Sequence, residues 1–143
     1  MFRKILVPVD FTEKNEPAFE AAQQTALHPD PEQRGEIELL HVIETIEHIG
    51  FEEMADFYRG LEARATAKLF ALEERFREAG IKTRSEILYG KRAETIIRHA
   101  DDREIDLIVL SSHKVDRDHP ALGLGTISYR IAIVARCPVL LVK

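Results

Sequence analysis

The sequence predicts an α/β fold: a doubly wound, five-stranded parallel sheet of order 3-2-1-4-5 with helices on both faces. Three observations predict it. Short apolar runs alternate strictly with segments of helical period, giving the order β-α-β-α-β-α-β-α-β. The apolar runs are nearly continuous, as strands buried on both faces must be. Right-handed crossovers between parallel strands then leave few topologies, of which the doubly wound sheet fits best.

Ile5-Leu6-Val7 begins the series, a buried strand stopped by Pro8-Val9-Asp10. Thr12 or Asn15 is placed to cap the next helix, and Pro17 is tolerated because it falls in the first turn. Ala18, Ala22 and Ala26 give that helix a narrow stripe for close packing on a sheet. His28-Pro29-Asp30-Pro31 breaks it, and the polar stretch to Gly35 reads as a loop. A second strand covers about Ile37 to Ile43. The acidic stretch from Glu44 to Tyr58 reads as a loop with a helical turn. Leu61, Ala65, Leu69, Leu72 and Phe76 mark one face of a long amphipathic helix that Gly80 ends.

Alternation from Ile81 to Tyr89 predicts the third strand, punctuated by Gly90. Ala93, Ile96, Ile97 and Ala100 form the next helical stripe. Asp106-Leu107-Ile108-Val109-Leu110 is the clearest buried strand, followed by a polar loop from Ser111 to about Leu124. Ile127, Ile131 and Val134 mark the apolar face of the last helix, and Pro138-Val139-Leu140-Leu141-Val142 the last strand.

A length of 143 residues fits one domain, 1–143, able to bury its own core. With 45% hydrophobic and 31% charged residues the chain reads as globular rather than disordered. A net charge of −5 argues against general nucleic-acid binding, which draws on a basic face. The single cysteine, Cys137, fits a reducing compartment and reads as a small buried residue rather than a nucleophile. No apolar run approaches a membrane span, and Ile5-Leu6-Val7 is too short for a signal peptide core, so the expected location is cytoplasmic.

In an open parallel sheet, ligands bind beyond the carboxyl ends of the strands where the strand order reverses. Here that point lies between the first and fourth strands. Pro8-Val9-Asp10 and Ser111-Ser112-His113-Lys114 leave those strands, and Gly125-Thr126 opens the last helix, whose terminus favours an anion. Topology alone therefore brings these segments to one crevice. His113, Lys114, Arg117 and His119 gather positive charge beside it, interleaved with Asp116 and Asp118. Lys114 is the member placed nearest an anion.

The other candidate motifs have simpler readings. His48-Ile49-Gly50 is similar to a synthetase nucleotide-binding signature, but it follows the second strand instead of the first. His41 in a strand and His99 on a helix have no His, Cys or carboxylate partner at ligand spacing, so no metal site is expected. Glu44, Glu47, Glu52, Glu53 and Asp56 form a solvated surface long enough to serve a partner. Pro138 to Lys143 supplies an apolar edge strand, which an isologous homodimer would cover.

Val7-Pro8-Val9-Asp10, Leu40-His41-Val42, Asp106-Leu107-Ile108-Val109 and Cys137-Pro138-Val139-Leu140 together resemble the universal stress protein family, in order and spacing across the chain. The resemblance implies a regulatory, non-catalytic stress-response protein. Its implied ligand is an adenine nucleotide, ATP or AMP, with Mg²⁺ accompanying ATP, and it implies the same dimer mode. Carried over position by position, the contacts are Pro8, Val9, Asp10, Val42, Leu110 and Ser111 on the first side. On the second they are His113, Lys114, Gly125, Thr126, Ile127 and Ser128. ATP-binding members carry Gly-x2-Gly-x9-Gly-Ser/Thr after strand four. This chain has Ser111 and Lys114 at the first two glycine positions and ten residues before Gly125-Thr126. Two alternatives follow from those departures. One is a dimeric interaction module of the same fold that takes no nucleotide. The other is a slow ATPase, although Asp10-Phe11-Thr12-Glu13-Lys14 offers no glycine for a phosphate loop after strand one.

Overall fold

Ile5, Leu6 and Val7 are fully buried in the central strand, and the rest of the chain is arranged around them. The computed structural model describes residues 2–112, 117–119 and 126–143. Among these, β1 (Lys4–Pro8), β2 (Glu36–Ile43), β3 (Thr83–Tyr89), β4 (Leu107–Ser111) and β5 (Val139–Val142) form one parallel sheet. The strand order is β3-β2-β1-β4-β5, as the sequence predicts. Helices α1 (Glu16–Ala26) and α2 (Ala55–Glu78) pack on one face, and α3 (Arg92–Asp102) and α4 (Ile127–Val134) on the other.

Period-two alternation sorts each strand between two cores. Ile5, Val7, Ile37, Leu39, Leu107 and Val109 meet the alanine stripe of α1 and Leu69 and Phe76 of α2. Leu6, Leu40, Val42, Ile108 and Leu110 meet Ala93, Ile96 and Ala100 of α3 and Ile131 of α4. Burying each such Ile, Leu or Val side chain contributes about 1.5–3 kcal/mol. β1 supplies both cores, so its three apolar residues anchor both layers.

The structure corrects several boundaries. A 3-10 turn over Phe51–Met54 runs into α2 at Ala55, so the helix takes in the end of the stretch expected to be a loop. The sequence concealed this start because Phe51 and Phe57 are exposed and break the apolar period. At the far end of α2, Gly80 adopts φ +82, where an added Cβ would also strike the Arg34 guanidinium. Neither expected side-chain cap of α1 forms: Asn15 occupies the cap position but turns its amide elsewhere. In the loop after α1, Asp30 caps a short turn over Pro31–Gln33. Val134, expected on the apolar face of α4, is 59% exposed, and Ser128 takes a buried position there with Ile131.

Candidate functional site

Beyond the carboxyl ends of β1 and β4 the structure opens a cavity of about 430 Å³. That is the size of a small-molecule site, which runs from about 300 to 1,000 Å³. Pro8, Val9 and Asp10 line it from the end of β1, Leu110 and Ser111 from β4, and Val42 from β2. Thr126, Ile127 and Ser128 close the side formed by the start of α4. The nine described residues carried over as ligand contacts thus meet at one crevice. His113, Lys114 and Gly125 lie outside the described residues. Arg117, Asp118 and His119 are exposed and do not line the cavity.

The local folding of the loop after β1 explains where Asp10 points. Its Oδ1 accepts hydrogen bonds from the Thr12 N–H at 2.9 Å and the Thr12 hydroxyl at 2.7 Å. This closes a tight Asx-type turn. Phe11 passes through the turn at φ +63, a left-handed conformation that is rare for a bulky residue. Asn15, buried at the entrance to α1, holds the turn from beneath. Its Oδ1 accepts from the Asp10 N–H at 2.9 Å and the Phe11 N–H at 3.2 Å. Its Nδ2 donates to Ser111 Oγ at 3.3 Å, joining the β1 and β4 walls of the crevice.

His41 supports the same turn from β2. Its Nδ1 donates to the Val9 carbonyl at 2.7 Å, since a carbonyl can only accept. Its ring lies 4.4 Å from that of Phe11, and the Lys68 ammonium sits 5.2 Å from the centroid of the Phe11 ring. Burial pushes His41 below the ordinary imidazole range, outweighing the bond to Val9, which pulls it upward.

Ser112, in the segment that topology brings to the crevice, also lines it, as do Lys14, Asn15, Leu40, Arg92 and Ile96, which the sequence does not assign there. Arg92 opens α3, and its Nε lies 3.7 Å from Glu44 Oε1. A signal for it existed: α3, like α4, begins at the carboxyl ends of the strands, so the helix-terminus argument applies to both. On the α4 side, Thr126 caps the helix by accepting from the Tyr129 N–H at 3.4 Å. The first N–H groups of a helix have no partner within it.

Chemically the crevice has two parts. Leu40, Val42, Ile96, Leu110 and Ile127 offer apolar surface for a flat ring. Lys14, Arg92, the hydroxyls of Ser111 and Ser128 and the α4 terminus offer donors for an anion. Asp10 is the only acidic residue among the described lining, against two basic ones. In a chain of net charge −5, that local reversal suits a negatively charged ligand. The residues present therefore fit a nucleotide.

A second cavity, of about 440 Å³, lies between α3 and the exposed part of β3. There the expectation that His99 lacks a carboxylate partner fails. The fold brings Glu38 of β2 and Glu86 of β3 to it, with His99 Nε2 donating to Glu38 Oε1 at 2.6 Å and 3.8 Å from Glu86 Oε2. Sequence spacing could not show this, because the partners come from three separate elements. The three offer ligand atoms within 4.8 Å of one another. However, Arg103 Nε lies 3.6 Å from the same Glu38 oxygen, and Arg84 and Arg98 line the cavity. The cluster reads as a self-neutralising ion network. Elsewhere, His48 sits in the turn after β2, away from the crevice. Burial raises the pKa of the half-buried Cys137 thiol above its ordinary range, the wrong direction for a nucleophile.

The profile described as "Universal stress protein family" matches residues 1–143. Universal stress protein YxiE of Bacillus subtilis is 28% identical over 153 aligned positions, covering all of both chains. The solved structure of MJ0577, a universal stress protein of Methanocaldococcus jannaschii, superposes with a TM-score of 0.83 at 28% identity, covering 100% of this chain and 96% of that one. A universal stress protein from Archaeoglobus fulgidus in complex with dAMP shares the fold at a TM-score of 0.67 and 17% identity, covering 99% of this chain and 98% of the other.

Proposed function

Because the chain belongs to the universal stress protein family, we propose that it is a regulatory protein that binds an adenine nucleotide, ATP or AMP, between β1 and β4. The observation that carries this reading is the crevice itself. It is a cavity of about 430 Å³ at the reversal of strand order, lined by apolar side chains together with two cations and several hydroxyls. Leu40, Val42, Ile96 and Leu110 take the base, and Asp10 the ribose side. Lys14, Arg92, Thr126, Ser128 and the backbone N–H of Ile127 at the start of α4 face the phosphates, with Mg²⁺ accompanying ATP. His113, Lys114 and Gly125 complete the set on the sequence argument. A related protein of the same fold was solved with dAMP, which supports an adenine ligand.

The whole of 1–143 acts as one domain in the cytoplasm, without catalysing a reaction. No helix among the described residues is long and apolar enough to cross a membrane. A homodimer forms through Pro138 to Lys143. In support, β5 is a sheet edge of four apolar residues, with Leu140 exposed at its centre. Ser111 and Lys114 at glycine positions favour a second reading, a dimeric interaction module that takes no nucleotide.

Calorimetric titration of ligand-free protein with ATP, with and without Mg²⁺, and with AMP separates the two. The nucleotide reading expects saturable binding at one site per chain, with Kd on the order of micromolar. No heat with either nucleotide overturns it in favour of the interaction module. Steady-state phosphate release from ATP, lost on Asp10→Ala, would instead establish the slow ATPase.

A further inference from the structure

A different part of the molecule carries a surface that the crevice does not explain. Between β2 and α2, Ile46, Ile49, Phe51 and Phe57 are 42%, 41%, 52% and 48% exposed. Three of them are organised around one buried ring. Phe51 stacks on Tyr58 with centroids 5.0 Å apart, and Phe57 lies 5.6 Å from the same ring. The Tyr58 hydroxyl accepts the Ile46 N–H at 2.9 Å. Tyr89 meets both Phe51 and Tyr58 edge-on, and its hydroxyl donates to Glu62 at 2.6 Å. The exposed side chains therefore stand on a fixed aromatic base, as the anchors of a docking surface do.

The surroundings say what kind of partner fits. Residues 44–62 contain six carboxylates and one basic side chain, Arg59. Asp56 is paired with Arg59, Glu44 and Glu47 lie near Arg92 and Lys91, and Glu62 holds Tyr89. Glu52 and Glu53, exposed beside Phe51, form no ion pair among the described residues. Acidic residues at a helix start stabilise its dipole, which accounts for Asp56 but leaves the half-exposed aromatic and aliphatic side chains unexplained. We propose that this surface docks a basic amphipathic helix of another protein, its apolar face on Phe51 and Phe57 and its lysines or arginines over Glu52 and Glu53. An anionic membrane is the wrong occupant, because its headgroups repel the same carboxylates. The surface lies by β2 and β3, at the opposite end of the sheet from β5, so strand pairing at β5 leaves it open.

The test uses a fluorescent 18-residue amphipathic peptide with leucine on one face and lysine on the other, beside a counterpart with glutamate for lysine. Anisotropy should show saturable binding of the lysine peptide alone. The double variant Phe51→Ser/Phe57→Ser should weaken it by about tenfold or more. Glu52→Lys/Glu53→Lys, which disturbs no packing, should weaken it by at least about threefold, as added salt should. Circular dichroism and thermal melting establish that the variants are folded, and the charge-reversed pair decides if the Phe variant is not. Equal binding of both peptides, binding of neither, or unchanged affinity in the charge-reversed variant overturns the proposal. So does capture by phosphatidylserine vesicles, or self-association in sedimentation that Phe51→Ser/Phe57→Ser abolishes, which would make a second copy the occupant.

Discussion

The two cavities of this molecule are nearly equal in volume, about 430 and 440 Å³, and both are lined by charged side chains. They differ in what those side chains are doing. Under α3, Glu38 and Glu86 lie 2.6 to 3.8 Å from His99 and Arg103, so opposite charges are matched within the cluster even though Arg103 Nε makes no hydrogen bond. At the crevice, Lys14 and Arg92 line an open cavity with Thr126 and Ser128, and Arg92 reaches its carboxylate neighbour Glu44 only at 3.7 Å. Residue type and cavity size do not by themselves make a binding site. What counts is charge not already neutralised at close range within the protein.

Removing one member of the α3 cluster is the largest test of that contrast. Glu38→Ala strips the buried partner from His99 and should cost about 3–5 kcal/mol in urea unfolding. Nucleotide titration should be unaffected wherever the variant remains folded. A variant as stable as the parent would mean that the network is not self-supporting, and the contrast fails.

The crevice should respond in the opposite way. Lys14→Ala combined with Arg92→Ala should raise the Kd for ATP by about tenfold or more, because two charge-assisted contacts are lost. The same pair should change stability by no more than about 1 kcal/mol, since Lys14 is exposed and the Arg92–Glu44 approach is long. A large loss of stability with unchanged affinity would reverse the assignments of the two cavities.

The smallest effect comes from His41. Burial holds its folded pKa below the ordinary value of about 6.5. Between those two values the unfolded chain binds more protons than the folded one, so stability is present above the unfolded value and falls as pH drops through the window. Melting at pH 7.5 and 5.5 should show this, and His41→Asn, which keeps a donor toward the Val9 carbonyl, should flatten the dependence. An equal slope in the variant would assign the pH response to other groups.

The strands were legible because both faces of a parallel sheet are buried, so runs such as Ile5-Leu6-Val7 and Leu107-Ile108-Val109-Leu110 carry no polar interruption. The crevice was legible in outline because strand order fixes where it lies. Three things were not. The start of α2 was hidden because its first residues face solvent and carry aromatics that helical periodicity assigns to a core. Val134 was expected inside because spacing cannot show that its turn of α4 projects outward. Asn15, Lys14 and Arg92 were overlooked as site residues for a different reason: they lie at the starts of helices other than α4, the one helix start that the sequence ties to an anion. Glu38 and His99 lie 61 positions apart, so no local spacing rule reaches their contact.

The place of β1 in the middle of the sheet has a further consequence, in time rather than in space. The Lys4 N–H bonds the Asp106 carboxylate, a partner 102 positions later in the chain. β1 is synthesised first, and β2 can join one of its sides early, but the other side waits for β4. Until then Ile5, Leu6 and Val7 have an open edge and incomplete cover, and a long loop must close before the pairing repays it. On the ribosome, the most deeply buried strand of the finished protein is therefore the one that remains longest in need of protection.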